Sequence, residues 1–134
     1  MRGDMKKNVF PATTTPTKAE LEILQALWEL GPSTVRAVHE RLGRSTGYTT
    51  ILKLLQIMND KGLVERQETE RAHVYKARVS EKRATGEFLR ELVERVFDGS
   101  PGRLVLQALG SGTPSREELV EIRRLIQSME EKQK

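Results

Sequence analysis

A chain of 134 residues with a net charge of +4 and no cysteine has room for one compact domain, or for a small domain with an appendage. The missing thiols exclude disulfides, thiolate metal sites and cysteine nucleophiles together. No apolar run approaches the roughly 18 residues of a membrane span, and the opening stretch has no apolar core, so a cytoplasmic chain without membrane insertion or a secretory signal is expected.

The charge is unevenly placed. Residues 1–79 hold 13 basic and nine acidic residues, whereas residues 80–134 hold ten of each. Between Arg41 and Asn59 there is no Asp or Glu, although Arg41, Arg44 and Lys53 fall inside that window. A carboxylate facing a phosphate is repelled, so an acid-free window suits a polyanionic partner.

Residues 1–15 run into Pro11-Ala-Thr-Thr-Thr-Pro16 and read as a flexible N-terminal arm. Thr17 and Glu20 then have the spacing of a capping box, and Leu21, Leu24, Leu27 and Trp28 follow at helical intervals. Gly31-Pro32 ends this first helix. A second helix, capped by Ser33 or Thr34, carries Val35, Val38 and Leu42 on its buried stripe and stops at Gly43. After a turn at Arg44-Ser-Thr-Gly47, a third helix runs to about Lys61. Its Ile51, Leu54, Leu55 and Met58 recur at i, i+3, i+4 and i+7 and form the core face. The period then changes: Leu63–Gln67 and His73–Val79 read as two strands around a polar tip, Glu68–Ala72.

Three helices followed by a two-stranded hairpin is the order of a winged helix-turn-helix. Residues 16–79 are therefore expected to form a mainly α DNA-binding domain with a small β-hairpin wing. In such a domain the second helix of the pair enters the major groove. Thr49, Lys53 and Gln56 face away from the aliphatic stripe and can hydrogen-bond base edges, and Leu52 can touch a thymine methyl. Tyr48 and Thr46 sit at the amino end, where hydroxyls and helix N–H groups favour phosphate, and Thr50 is a further candidate DNA contact. Arg71 at the wing tip is the candidate for a backbone or minor-groove contact. Trp28 and Tyr75 read as core, and aromatics at 4% are too few for a single-strand stacking platform.

Ser80 opens a fourth helix with Phe88, Leu89, Leu92, Val93, Val96 and Phe97 on one broad face. Asp98–Gly102 breaks it, and a short helix follows with Leu104, Val105, Leu106 and Leu109. After Gly110–Pro114, Ser115 and Glu118 repeat the capping-box spacing. The last helix carries Leu119, Ile122, Leu125, Ile126 and Met129. Three short stripes are hard to bury on so small a body, and a two-fold partner presenting the same stripes removes them from water. Residues 80–134 are thus expected to be a helical dimerisation region. Its contacts would be Phe88, Leu92, Val96, Leu104, Val105 and Leu109, with Leu119, Ile122, Leu125 and Ile126 on the last helix. A helical lid folded back within one chain is the alternative.

The two histidines, His39 and His73, have no partners at metal-ligand or catalytic spacing, so neither an enzyme nor a cofactor is expected.

Gly47-Tyr-Thr-Thr-Ile-Leu-Lys-Leu-Leu55, Lys61-Gly-Leu-Val64 and Arg71-Ala-His-Val-Tyr75 together resemble the penicillinase-repressor family (BlaI/MecI/CopY type). Phe97-Asp-Gly-Ser-Pro-Gly102, Glu117-Glu-Leu and Ile122-Arg-Arg-Leu125 extend the likeness, which covers about Thr17 to Met129. The resemblance implies a homodimeric repressor on a palindromic operator, with the third helix reading bases and the C-terminal helices pairing the subunits. It also implies, for antibiotic-responsive members, a membrane sensor with metalloprotease activity that triggers cleavage in the dimerisation region. The corresponding stretch here, about residues 101–109, has no Asn-Phe pair like the one cleaved in those members. The cysteine-rich metal site of copper-responsive members is excluded by composition. Glu70 stands before Arg71 where the family pattern has glycine. Two other readings stay open at this point: a winged-helix module that binds protein, and a small-molecule-responsive regulator.

Overall fold

The first helix begins where the sequence supplies its own caps. In the computed structural model, which describes residues 15–43, 46–69 and 72–134, α1 spans Lys18–Leu30. The Glu20 N–H donates to Thr17 Oγ1 at 3.1 Å, and the Thr17 N–H donates to Glu20 Oε1 at 3.0 Å, completing the capping box. α2 spans Val35–Leu42, and Thr34 caps it by accepting the Ala37 N–H at 3.1 Å. Ser33, the other candidate cap, is used differently. Its N–H donates to the Tyr75 carbonyl at 2.9 Å and its carbonyl accepts the Tyr75 N–H at 2.8 Å. This one-residue bridge joins the α1–α2 connection to the wing.

α3 spans Tyr48–Lys61 and ends at Gly62, whose φ of +86° is open to glycine at no steric cost. The Leu63 N–H reaches back to the Met58 carbonyl at 2.9 Å, the long bond of a Schellman turn. That turn aims the chain into β1 (Val64–Glu68), which pairs antiparallel with β2 (His73–Ala77) in the register Val64↔Ala77 to Glu68↔His73. The hairpin lacks an Asn-Gly turn. Its connection is closed instead by Thr69, whose N–H donates to the Ala72 carbonyl at 3.0 Å and whose hydroxyl accepts the Ala72 N–H at 3.1 Å.

One core gathers these elements. Ile23, Leu24 and Leu27 of α1 meet Val38 of α2, Ile51, Leu55 and Met58 of α3, and Leu63, Val64 and Tyr75 of the wing. Ala84, on α4 (Glu81–Val96), is fully buried in the same cluster. Trp28 is half-buried against the core, and its indole N–H donates to the Val79 carbonyl at 3.0 Å. The chain divides into two compact units, one up to Leu92 and one from Val93 to Lys134. The first turns of α4 pack with the winged helix, since Ala84 lies in its core.

In the second unit, α5 spans Pro101–Ser111 and α6 spans Arg116–Lys132. Ser100 caps α5 by accepting the Arg103 N–H, and Pro101 occupies its first turn. Ser115 and Glu118 form a second capping box, with bonds of 2.8 and 3.0 Å. Neither α5 nor α6 holds a buried residue. Among the described residues, no helix is long and apolar enough to cross a membrane.

A buried ion pair ties the two ends of this architecture. Lys61 Nζ lies 2.7 Å from Glu20 Oε1, the oxygen that also holds the Thr17 N–H, and Glu20 is only 2% exposed. The pair links the first turn of α1 to the last turn of α3. Lys61→Met removes the cation and leaves a buried carboxylate with a backbone donor alone. It is expected to cost roughly 1–3 kcal/mol, since breaking a buried pair by removing one partner is destabilising and Lys61 is itself partly solvated. Chemical denaturation at pH 7 measures this; an unchanged midpoint would show that the pair carries no stability.

Candidate nucleic-acid interface

α3 is two-faced because its apolar residues recur every three or four positions. Ile51, Leu55 and Met58 are at most 1% exposed, and Leu54 packs partly buried against them. Thr49, Thr50, Lys53 and Gln56 are all exposed. On a helical wheel Thr49, Lys53 and Gln56 lie opposite the core stripe, and Thr50 lies at the flank. No acidic residue occurs in the first turn, and Gly47 provides no side-chain cap. The positive end of the helix dipole is therefore not neutralised from within the helix.

Thr46 is half-buried in the turn before α3. Tyr48 is half exposed, and its ring meets the ring of His39 on α2 edge-on, centroids 5.9 Å apart. Leu52 differs from its outward neighbours: it is half-buried and packed against the core cluster. Together with Tyr48 it lines one side of a groove of about 460 Å³. The start of α2 supplies the second side, through Thr34, Val35 and Arg36, and the wing supplies the third, through Ala72, His73 and Tyr75. Arg36 and His73 were not among the residues expected to meet DNA. The only sequence signal for Arg36 is its place in the first turn of a helix that has no acid there.

The cations of the acid-free window have different fates. Arg41 is held by Glu29 of α1, its Nε donating to Glu29 Oε1 at 2.9 Å and its Nη2 donating to the same oxygen. Lys53 is exposed on the outer face of α3. Arg44 and the wing-tip Arg71 lie outside the described residues, as does most of the N-terminal arm. At the base of the tip, Glu68 Oε2 lies 3.6 Å from Arg66 Nη2 and 4.0 Å from His73 Nδ1.

The apolar residues expected at a subunit contact are spread over α4, α5 and α6. Phe88, Leu92, Leu104, Leu109 and Ile122 are half-buried. Val96, Val105, Leu119, Leu125 and Ile126 are exposed, Leu125 to 61%. Leu106, at 74%, is more exposed still, and Leu89, Val120 and Met129 join it, although none of the four was expected at the contact. Between α5 and α6 lies a groove of about 440 Å³, floored by Leu109, Pro114 and Ile122 and edged by Glu117, Glu118 and Glu121.

A helix-turn-helix whose second helix bears an exposed polar face, followed by a two-stranded wing bridged to the first loop, defines a winged-helix regulator. The family model described as penicillinase repressor matches residues 16–128, and the chain belongs to the penicillinase repressor family. It is accordingly a winged-helix transcriptional regulator and not an enzyme. Two solved structures are similar to it. A MarR family protein from Bacillus stearothermophilus has 20% identity and a TM-score of 0.48, over 98% of this chain and 82% of that one. The organohalide-sensing RdhR-CbdbA1625 transcriptional regulator, in its 2,4-dichlorophenol-bound form, has 21% identity and a TM-score of 0.46, over 96% and 69%. No curated protein matches the chain.

The different environments of Leu52 and Gln56 have a measurable consequence. Leu52→Ala is expected to lower stability by about 1–3 kcal/mol, because it removes half-buried methyl groups from the core edge. Gln56→Ala is expected to stay within about 0.5 kcal/mol of the parent, as exposed substitutions do. Urea denaturation of the two variants compares them; equal midpoints would return Leu52 to the solvent face.

Proposed function

We propose that this regulator is a homodimeric repressor that reads a palindromic double-stranded DNA operator with α3 and meets the backbone with its wing. The observation that carries the reading is the exposed face of α3. A hydroxyl (Thr49), an ammonium (Lys53) and an amide (Gln56) stand together on the side of a helix whose other side is fully buried. These are the groups that hydrogen-bond base edges in the major groove. Tyr48, Thr46 and Thr50 at the amino end would take phosphates, and Leu52 would offer its exposed part to a thymine methyl. Arg71 is the wing's proposed backbone contact.

The proposed dimer rests on the apolar surface that α5 and α6 leave in water. Burying such surface is favourable by about 25 cal/mol per Å², and a second copy offers matching stripes. A two-fold dimer would in turn call for a palindromic operator, since each half-site repeats under the protein's own symmetry. As a reader of DNA it would act in the cytoplasm.

Lys53→Ala and, separately, Thr49→Ala are expected to weaken operator binding by about tenfold or more while leaving the circular dichroism spectrum unchanged, in line with roughly 1–3 kcal/mol per base contact. Gel shifts on an operator selected from random duplexes measure this; parent affinity in both variants would remove α3 from the reading role. For the dimer, replacing both Leu125 and Ile126 by Asp is expected to yield monomers in sedimentation. An intact dimer would put the subunit contact elsewhere.

A further inference from the structure

Of the groove between α2, α3 and the wing, the repressor reading uses only Tyr48 and Leu52, on its α3 side. We propose that the groove holds one phosphodiester of the duplex with a flanking deoxyribose, and that Arg36 and His73 grip the phosphate from opposite sides. This inference rests on the repressor reading and adds to it a positioning site that no base-reading residue provides.

The chemistry of the walls supports that occupant. Arg36 extends from the first turn of α2 and His73 from the first position of β2, and both are exposed at the rim. The Tyr48 phenol adds a neutral donor. The Thr34 hydroxyl accepts the Ala37 N–H, which leaves its own proton free to donate. Among the described residues lining the groove none is Asp or Glu, and the carboxylate beside it, Glu68, stands 4.0 Å from His73 Nδ1 and 3.6 Å from Arg66 Nη2. Among the described residues no carboxylate pairs with Arg36, in contrast to Arg41, which Glu29 holds.

The remaining wall is apolar. Leu52 presents carbon surface over the buried Val35 and Tyr75, which a free phosphate would not use and the carbon face of a sugar would. Position agrees as well. Tyr48 and Leu52 flank Thr49 and Lys53 on the same turns of α3, so a sugar–phosphate in the groove adjoins the bases those side chains would read. Gripping it would set the depth and register of α3, the role that backbone contacts have in duplex recognition.

The test uses the full-length protein and the selected operator, with affinity measured by fluorescence anisotropy over a range of salt concentrations. Arg36→Gln is expected to weaken binding about tenfold and to lower the slope of log K against log salt by about 0.9 for each clamp lost, two per dimer. Arg36→Lys should recover most of the slope. Duplexes carrying a neutral methylphosphonate at single positions identify the phosphate: one position per half-site should weaken the parent protein and leave Arg36→Gln unaffected. His73→Gln should weaken binding to the unmodified duplex and lose part of the sensitivity to methylphosphonate at that same position. If Arg36→Gln keeps parental affinity and slope while Lys53→Ala loses the operator, the clamp is wrong and the repressor reading stands. If the parent protein selects no duplex at all, both fall together.

Discussion

Ile51, Leu55 and Met58 leave water together, and that constraint orients everything else in the first unit. They occupy one side of α3, so packing them against Ile23, Leu24 and Leu27 sets the rotation of the helix about its own axis. Once that rotation is set, Thr49, Lys53 and Gln56 have no choice but to face outward. The chemistry of the interface is thus a by-product of core formation: a polar face is presented because the other face cannot be wet.

Rotation alone does not make a binding surface, since α3 must also keep its place beside the wing. Three long-range polar links do this. The Ser33–Tyr75 bridge fastens the wing to the loop before α2. The Trp28 indole holds the end of the wing against α1, and the Lys61–Glu20 pair anchors the far end of α3 to the first turn of α1. Each is a directional contact on the margin of a non-directional core, so together they specify a position that apolar packing would leave loose.

The second unit follows the opposite logic. α5 and α6 are well capped and amphipathic, yet they bury nothing completely within one chain. A helix of 11 residues is marginal alone in water, and for both helices stability ordinarily comes from packing an apolar face. The apolar surface left exposed here is the surface that the proposed dimer would bury.

Most of the elements could be read directly, because caps, stops and periodicity are local. The Thr17/Glu20 and Ser115/Glu118 boxes, the glycine stops and the 3.6-residue stripe of α3 each act within a few positions of one another, and each has the expected structure. The outward placement of Thr49, Lys53 and Gln56 was legible for the same reason. Leu52 was not, because a residue at the edge of a stripe is assigned by what packs beside it. Nor were the bridging role of Ser33, the use of Ala84 in the core, or the placing of Arg36 and His73 on one groove. These depend on residues far apart in the chain, 41 positions for the Lys61–Glu20 pair and 51 for the Trp28–Val79 bond. The sequence by itself determined which segments are helix or strand and which side of each is apolar, because neighbouring residues decide that. Only the tertiary structure decided which polar groups meet across those segments, because such meetings depend on how separate helices and strands close around a shared core.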